Sequence, residues 1–397
     1  MIRGNLFCHL WISKKMTNEL LYKLTSIDWD FKDAWTQEGI HSLHWYPGTF
    51  VPQIANNLIR ILTAKGDTIL DPFCGCGTSL VESIKLNRNA IGLDCNPIGI
   101  LISKVKCSKL SPRSLNHKLA SIYEMAADSL FQKTQSSIDY KTNSPLLNWF
   151  APNTLRYLFK LWDAINKLTK EEEKDFFQVC LSHVLKTNSS QDKHWGWVAD
   201  NVTPKKLKEK DIIKSFDQHS SKMIESFNLF YKQVNVSSKS VVSTHNCCLP
   251  INIRQKVDAV ITSPPYPSVI DYTKAHRLSY YLFEWDIEKD RQIEIGARWK
   301  RTRKEQIEEY KKDILTAFEN INNVLKRNGL LGIVMDATKR KRTVLADATY
   351  IDVAELLVKQ FGYKNISGYL KRQLSDQRLL DGHGRKNSEY IVVLQKN

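Results

Sequence analysis

An apolar strand that runs into a glycine-bearing turn and then into a helix is the feature that most constrains the fold of this chain. The strand is expected at 69–72, the turn carries Gly75 and Gly77, and the helix follows at 78–86. Glycine is needed where the backbone adopts positive φ or lies against a ligand. A second strand is expected at 90–94. This alternation of strand and helix predicts an α/β fold with a parallel sheet.

The second predicted strand ends at Asp94. In a doubly wound sheet, an acidic side chain at this point can accept hydrogen bonds from a ribose diol, so the ligand is predicted to be a nucleoside or nucleotide. A pyrophosphate-binding dehydrogenase would carry Gly-x-Gly-x-x-Gly. Here Leu80 stands where the third glycine would be, which disfavours an NAD site.

A second motif, Thr-Ser-Pro-Pro-Tyr-Pro, occupies residues 262–267 directly after the apolar run 257–261. Two prolines fix φ and remove two backbone donors, which leaves the Ser263 side chain and the free carbonyls as acceptors. Tyr266 offers a stacking face. A nucleobase extruded from a duplex needs both kinds of contact. Alone, such a segment is more often a proline-rich turn that ends a strand; the glycine turn shifts the balance towards a base-binding site.

Together these segments resemble the signatures of DNA methyltransferases that use S-adenosylmethionine to methylate exocyclic amino groups. The nucleotide-binding signature of that family, Asp-Pro-Phe-x-Gly-x-Gly-Thr, matches residues 71–78, and its catalytic signature, (Asn/Asp/Ser)-Pro-Pro-(Tyr/Phe/Trp), matches 263–266. The stretch 44–52 resembles the segment that covers the methionine end of the cofactor. The resemblance extends over roughly residues 40–110 and 255–397 and fades between them.

The resemblance implies a Rossmann-like, doubly wound and mostly parallel sheet, with S-adenosyl-L-methionine as cofactor and double-stranded DNA as substrate. Ser263 and the Pro264 carbonyl would accept the hydrogens of the target amine, and Tyr266 would stack on the extruded base. The implied catalytic residues are Ser263, Pro264, Pro265 and Tyr266. The implied cofactor-binding residues are Asp71, Phe73, Gly75, Gly77, Thr78, Asp94, Tyr46 and Thr49. The family mechanism requires no metal.

Within the cofactor site, Asp71 is expected to orient the turn and to approach the methionine ammonium, and Asp94 to bind the ribose. Tyr46 and Thr49 could equally be packing and capping residues. The adenine contact has no candidate, because the stretch 245–250 lacks the acidic residue that many relatives carry before the catalytic strand.

The identity of the target base rests on one residue. Family members with serine at the first motif position mostly modify the 4-amino group of cytosine, and those with aspartate or asparagine the 6-amino group of adenine. Ser263 therefore favours cytosine, although a hydroxyl and a carboxylate both accept from an amine. Methylation of adenine, an RNA base-amine methyltransferase and an inactive nucleic-acid-binding relative remain alternatives. The resemblance further suggests the modification enzyme of a restriction-modification system, with a cognate endonuclease as a partner.

The charge balance agrees with a nucleic-acid partner. The chain has 58 Lys and Arg against 42 Asp and Glu, a net charge of +16 and an isoelectric point near 9.3. Such a charge attracts a phosphate backbone and makes binding depend on salt, although solvated basic faces are common. Basic clusters at 205–208, 298–304 and 339–342 are expected in loops or at helix ends.

Cysteine usage and hydropathy predict a cytoplasmic protein, and the resemblance implies a prokaryotic cell. The eight cysteines lack the spacing of a disulfide framework or a zinc site, and no Pro-Cys dipeptide indicates covalent methylation of cytosine carbon 5. No apolar run is long enough to span a bilayer, and residues 1–10 lack the features of a signal peptide.

Helical periodicity dominates between the two motifs, from about 112 to 240, before strands resume at 259–262. Since the last predicted strand, 390–395, ends beside the carboxyl terminus, we expect target recognition to lie in the helical insertion. This order of motifs resembles the alpha class of the family. The predicted organisation is an N-terminal segment with the cofactor half at 1–110, a helical insertion at 111–245 and the catalytic half at 246–397.

Three further segments are weaker candidates. Asp271 and Tyr272 follow the catalytic motif and could line the same pocket, or Asp271 could be a helix N-cap. The polar loop 186–197, which contains His194, Trp195 and Trp197, could contact DNA or form an apolar plug. The tract 376–386, with Arg378, His383 and Arg385, could close over the substrate or form a solvated hairpin.

Overall fold

The structure is a computed structural model that describes residues 18–34, 37–128, 144–191, 203–234, 237–267, 269–302, 305–336, 352–373 and 388–397. His194, Trp195, Trp197, the cluster 339–342 and the tract 376–386 lie outside the described residues.

The described strands form one eight-stranded mixed sheet in the order β3-β2-β1-β4-β5-β8-β6, and β7 also pairs with β8. The strands β1 to β5 pair in parallel with one another, and β8 runs antiparallel to β5. The strands are β1 (Thr68–Asp71), β2 (Asn89–Asp94), β3 (Ser240–Thr244), β4 (Val257–Thr262), β5 (Leu325–Asp336), β6 (Lys364–Asn365), β7 (Leu370–Gln373) and β8 (Ser388–Gln395). The predicted Rossmann-like α/β fold is confirmed.

The central strands are apolar on both faces because both faces are covered. Neighbouring residues of a strand point to opposite sides, and Ile69 and Leu70 of β1 pack into different apolar clusters. One side is covered by α1 and the residues near Trp29, and the other by α11 and α12. This double cover is the reason that parallel strands read as continuous apolar runs.

The described helices are α1 (Pro52–Leu62), α2 (Thr78–Lys85), α3 (Pro97–Cys107), α4 (Pro112–Asp128), α5 (Pro152–Asn166), α6 (Glu171–Asn188), α7 (Ile212–Gln233), α8 (Tyr272–Ala275), α9 (Arg277–Phe283), α10 (Ile287–Ile293), α11 (Gln306–Val324) and α12 (Val353–Phe361). A further helical segment occupies 18–25, and short 3-10 helices occupy Gly39–Leu43, Pro145–Asn148 and Arg298–Thr302. No helix of the described residues is both long and apolar enough to cross a bilayer.

The helical region α4–α7 is joined to the sheet by a shared core. Val81 of α2 and Ile102 of α3 belong to the same buried apolar cluster as Phe177 of α6 and Phe227 of α7. β3 also lies within 111–245, and it pairs with β2 along five residues. The helical part of the insertion therefore ends before β3, which completes one edge of the sheet.

Two local features differ from the sequence-based expectation. The sequence 272–283 predicts one continuous helix, and in the structure this segment is divided at His276 into α8 and α9. β3 was not predicted because its residues are mostly polar and partly exposed, as suits an edge strand.

Candidate active site

A cleft opens at the carboxyl ends of β1, β2 and β4, where neighbouring strands continue into connections on opposite sides of the sheet. Ligands of doubly wound folds bind at such switch points. The cleft has a volume of about 830 Å³ when the space open to solvent is counted. Its lining comes from segments far apart in sequence: Tyr46, Pro47, Gly48, Thr49, Phe50, Pro72, Phe73, Cys74, Gly75, Cys76, Thr78, Asp94, Cys95, Asn96, His245, Asn246, Cys247, Ser263, Pro265, Tyr272, Ile293, Glu294 and Ile295.

The glycine turn brings backbone into this cleft. Gly75 has a φ of +48°, and a Cβ built on it would lie 2.9 Å from Cε1 of Tyr46. The Ser103 hydroxyl donates to the Gly75 carbonyl at 2.7 Å. Gly77, with a φ of +79°, is the N-cap of α2 and lies outside the lining. A side chain at position 75 would therefore displace Tyr46 or strain the turn.

Tyr46 and Thr49 belong to one wall of the cleft. The ring of Tyr46 stacks on Tyr272, with 5.7 Å between centroids, and on His276, with 5.1 Å. The Thr49 hydroxyl donates to the Tyr46 carbonyl at 3.0 Å, which holds the local turn. A Cβ on Gly48 would lie 2.9 Å from the Tyr272 hydroxyl. The 46–49 segment is thus packed against the helix that follows the catalytic motif.

Asp94 lines the cleft at the end of β2. Its Oδ2 accepts from the Gly75 backbone N–H at 2.8 Å, and its Oδ1 accepts from the Asn96 N–H at 2.8 Å. Burial raises the pKa of Asp94 above its usual range. Because each carboxylate oxygen can accept more than one hydrogen bond, Asp94 can hold the turn and still accept from a ligand hydroxyl.

Asp71 is placed differently from Asp94. It is buried and lies outside the cleft lining. Its Oδ1 accepts from Thr262 Oγ1 at 2.7 Å and from the Phe73 N–H at 3.1 Å, and its Oδ2 accepts from Ser79 Oγ. Burial raises its pKa to about 6. The carboxyl group therefore joins β1 to β4 and α2.

The catalytic motif contributes Ser263 and Pro265 to the lining, while Pro264 and Tyr266 lie beside it. Ser263 Oγ donates to the Tyr266 hydroxyl at 3.4 Å, and the Pro265 carbonyl accepts from the Tyr310 hydroxyl at 2.9 Å. No donor among the described residues bonds the Pro264 carbonyl. The structure thus brings Ser263 into the same cleft as Gly75 and Asp94.

Glu389 and Arg372 support Tyr266 of the Ser-Pro-Pro-Tyr motif, and the sequence reasoning missed both. The Tyr266 hydroxyl donates to Glu389 Oε1 at 3.0 Å, and Arg372 donates to Glu389 Oε2 at 2.6 Å. The buried guanidinium also donates to the Trp29 carbonyl at 3.0 Å and to the Asp30 carbonyl at 3.2 Å. These partners are far apart in sequence, so no local pattern could have indicated them.

Glu294 is a third residue that the sequence reasoning missed. It lines the cleft with 4% of its surface exposed. Its Oε1 accepts from the Thr273 N–H at 2.6 Å, and its Oε2 has no partner among the described residues. Burial, reinforced by the negative charges of Asp271 and Asp94, raises the pKa of Glu294 to about 8. A lone glutamate after a short polar helix gives no signal in the sequence.

The basic clusters are only partly available to a nucleic acid. Residues 205–208 are exposed. Within the cluster 298–304, Lys300 is buried, and its ammonium pairs with Glu309 at 2.7 Å. At least one lysine of that cluster therefore supports the fold.

The comparisons with known proteins agree with the motifs. Residues 11–104 match a family model described as N6_N4_Mtase, DNA methylase. The chain is 26% identical over 286 residues to the Type II methyltransferase M.MvaI of Kocuria varians, an alignment that covers 66% of this chain and 62% of that protein. It is 23% identical over 417 aligned positions to the Type II methyltransferase M.MjaII of Methanocaldococcus jannaschii, covering 82% of this chain and 78% of that protein.

The chain thus spans less than two thirds of the length of M.MvaI. Among solved structures, the rRNA methyltransferase aviRa of Streptomyces viridochromogenes aligns over 90% of both chains, at 11% identity and a TM-score of 0.35. A score this low adds nothing to the topology described above.

Proposed function

We propose that this chain, which resembles the S-adenosylmethionine-dependent amino-group DNA methyltransferases in its motifs and in its relatives, methylates the exocyclic 4-amino group of cytosine in duplex DNA. One observation carries the proposal. Gly75 and Asp94 of the nucleotide-binding part and Ser263 of the catalytic motif line the same cleft. Donor and acceptor of a methyl group must meet in one place, and this cleft offers a place for both.

The cleft fits S-adenosylmethionine, the cofactor of the family. Gly75 leaves room where a side chain would clash, and Asp94 keeps acceptor capacity for a ribose hydroxyl. The acidic residues of the lining are Asp94 and Glu294, which suits a ligand with a sulfonium and an ammonium group. Phe73 and Thr78 complete the turn beside them. We propose these residues, with Tyr46 and Thr49, as the cofactor site.

Bound cofactor supplies an electrophilic methyl group on a sulfonium. The residues of the chain prepare the nucleophile. The lone pair of an aromatic amine is delocalised into its ring, so acceptors that hold the two hydrogens favour the more tetrahedral nitrogen needed for attack. Ser263 Oγ and the Pro264 carbonyl provide these acceptors. Ser263 donates its own proton towards Tyr266, which leaves its lone pairs for the amine.

Tyr266 is the proposed stacking partner of the extruded base. Its hydroxyl is fixed by Glu389, so that a hydrogen bond determines the orientation of the ring. Pro265 is fixed from the other side by Tyr310. These contacts hold the motif before a base enters, which lowers the entropy lost on binding.

The choice of cytosine over adenine rests on the neutral hydroxyl of Ser263. DNA as the substrate is supported by the net charge of +16 and by the exposed cluster 205–208. We assign target recognition to the helical region α4–α7 and its flanking loops. A role in a restriction-modification system, with an endonuclease acting on the same site, and a cytoplasmic location remain predictions.

The test incubates the purified protein with methyl-labelled S-adenosylmethionine and, separately, duplex DNA and structured RNA, followed by nucleoside analysis. We expect N4-methylcytosine from the duplex. N6-methyladenine would overturn the assignment of the base, and label in RNA alone would overturn the assignment of the nucleic acid. Mapping methylated positions in the DNA of an expressing cell then gives the recognition site.

A variant separates base binding from cofactor binding. Tyr266→Ala should lower the transfer rate by about tenfold to hundredfold, since stacking on an extruded base contributes about 1–3 kcal/mol. Affinity for S-adenosylmethionine should stay unchanged. The exposed Tyr22→Ala is the matched control. Full transfer by Tyr266→Ala would refute the role of the motif.

A further inference from the structure

The methionine end of the cofactor carries an ammonium group, and Asp71 is the residue predicted to approach it. The Asp71 carboxylate, however, accepts hydrogen bonds from other residues of the chain. Both oxygens of Asp71 accept hydrogen bonds from Thr262, Phe73 and Ser79, and its side chain lies outside the lining. Buried cations need a partner with the opposite charge. A carboxyl group that lines the cleft is better placed for this role than Asp71.

Glu294 has the properties that this role requires. It is 4% exposed, it lines the cleft, and its Oε2 has no partner among the described residues. A buried carboxyl oxygen without a donor is costly unless a ligand supplies one. Asp94, the other acidic residue of the lining, is the proposed acceptor for a ribose hydroxyl.

A chain of contacts connects Glu294 to the wall of the cleft that carries Tyr46 and Gly48. The Thr273 N–H donates to Glu294 Oε1 at 2.6 Å, and Thr273 follows Tyr272 directly. Tyr272 stacks on Tyr46 and faces Gly48. The segment 44–52 is the one whose resemblance assigns it to the methionine end.

We infer that Glu294 binds the cationic methionine end of S-adenosylmethionine through its unpartnered carboxyl oxygen. The inference depends on the identity of the cofactor, but it is independent of which base is methylated. Burial and the like charges of Asp271 and Asp94 oppose the ionisation of Glu294. A bound cation relieves this repulsion, so that the charge of Glu294 is stabilised by the ligand itself.

The test measures binding by calorimetry, without methyl transfer. Glu294→Gln keeps the shape of the side chain and removes its charge. We expect its affinity for S-adenosylmethionine and for S-adenosylhomocysteine to fall by about tenfold to hundredfold, the range of a charge-assisted hydrogen bond. Affinity for methylthioadenosine, which lacks the amino-acid part, should be unchanged. Glu288→Gln, on the exposed side of α10, is the matched control and should bind all three as the wild type does.

Each outcome decides the inference. An equal loss for methylthioadenosine would overturn it in favour of an adenosine contact, and unchanged binding of all three would overturn it in favour of a structural carboxyl group. Thermal unfolding without ligand gives a second readout: Glu294→Gln should raise Tm, because it removes a buried acid among like charges. A lower Tm with unchanged binding would indicate a structural role.

Should Glu294→Gln fail to fold, wild-type binding of S-adenosylhomocysteine and of its analogue without the α-amino group remains decisive. Equal affinities of these two ligands would exclude a partner for the ammonium. Failure of methyl transfer with all binding results as expected would count against the proposed function alone.

Discussion

Around the strand ends, individual polar contacts hold each side chain in place, whereas in the helical region the apolar side chains of several helices share one core. Asp71 and Asp94 each accept from donors at separate points of the chain. Phe177 and Phe227 instead contribute to a cluster that reaches α2 and α3. Substitutions in the first region should therefore change affinity or rate, and those in the second should change the stability of the whole protein.

The largest effect is expected from the helical core. Phe227→Ala should lower the free energy of unfolding by about 3–5 kcal/mol, because it leaves a cavity among buried aromatic rings. The measurement is denaturant unfolding, followed in parallel by far-ultraviolet circular dichroism and cofactor binding. Leu229→Ala, half exposed on the same helix, is the control. Separate transitions for helices and cofactor site would show that the two regions do not share a core.

The second largest effect is expected on the free energy of unfolding at acid pH. It arises at the contact between α7 of the helical region and the segment that ends at Leu43. His219 of α7 stacks on His183 at 3.7 Å, and its Nε2 bonds the Leu43 carbonyl at 2.8 Å. Burial lowers the pKa of His219 to about 4 from its ordinary value of 6.5. The unfolded state binds the proton first, so the contribution of His219 to stability is lost as pH falls from 6.5 towards 4.

His219→Gln should remove this dependence. Between pH 7 and pH 5, its free energy of unfolding should fall by roughly 2 kcal/mol less than that of the wild type. Denaturant unfolding at both pH values measures the difference, with exposed His117→Gln as the control. If the free energy of unfolding changed equally with pH in the wild type and in His219→Gln, His219 would not be a buried, neutral histidine in the folded protein.

In the cleft, Gly75→Ala should weaken S-adenosylmethionine binding. The left-handed conformation costs a non-glycine residue about 1–2 kcal/mol, and the new Cβ would lie against Tyr46. Gly66→Ala, also at positive φ but with open space around its Cβ, measures the cost of strain alone. If both variants bind the cofactor equally well, the close approach at Gly75 has no functional role.

The smallest effect is expected at the support of the catalytic tyrosine. Glu389→Gln replaces a charged hydrogen-bond acceptor by a neutral one. It should raise the activation free energy of methyl transfer by about 1 kcal/mol and leave cofactor affinity unchanged. Single-turnover rates at saturating cofactor measure this, and Glu355→Gln, exposed on α12, serves as the control. A loss of cofactor affinity instead would place Glu389 in the cofactor site.

The sequence predicts those parts of the molecule whose causes are local. β1 and β4 were predictable because an apolar run followed by a fixed turn is a local pattern, and α4–α7 because apolar residues recur at helical spacing. β3 depends on its pairing with β2, which sequence does not reveal. Asp71 was expected to face the ligand, yet Thr262, 191 residues away, is one of its partners. Glu294 becomes a candidate ligand-binding residue only because folding places it in the lining of the cleft.

Arg372 connects the beginning of the chain to the target-base side of the cleft. It reaches the carbonyls of Trp29 and Asp30 as well as the carboxylate of Glu389. A shortened protein that started after residue 37 would keep both sequence signatures. It would also leave a guanidinium in the interior with fewer acceptors, and Glu389, which accepts from Tyr266, would be held by a less firmly placed partner. Fragment design guided by motifs alone would thus weaken the support of the proposed stacking tyrosine.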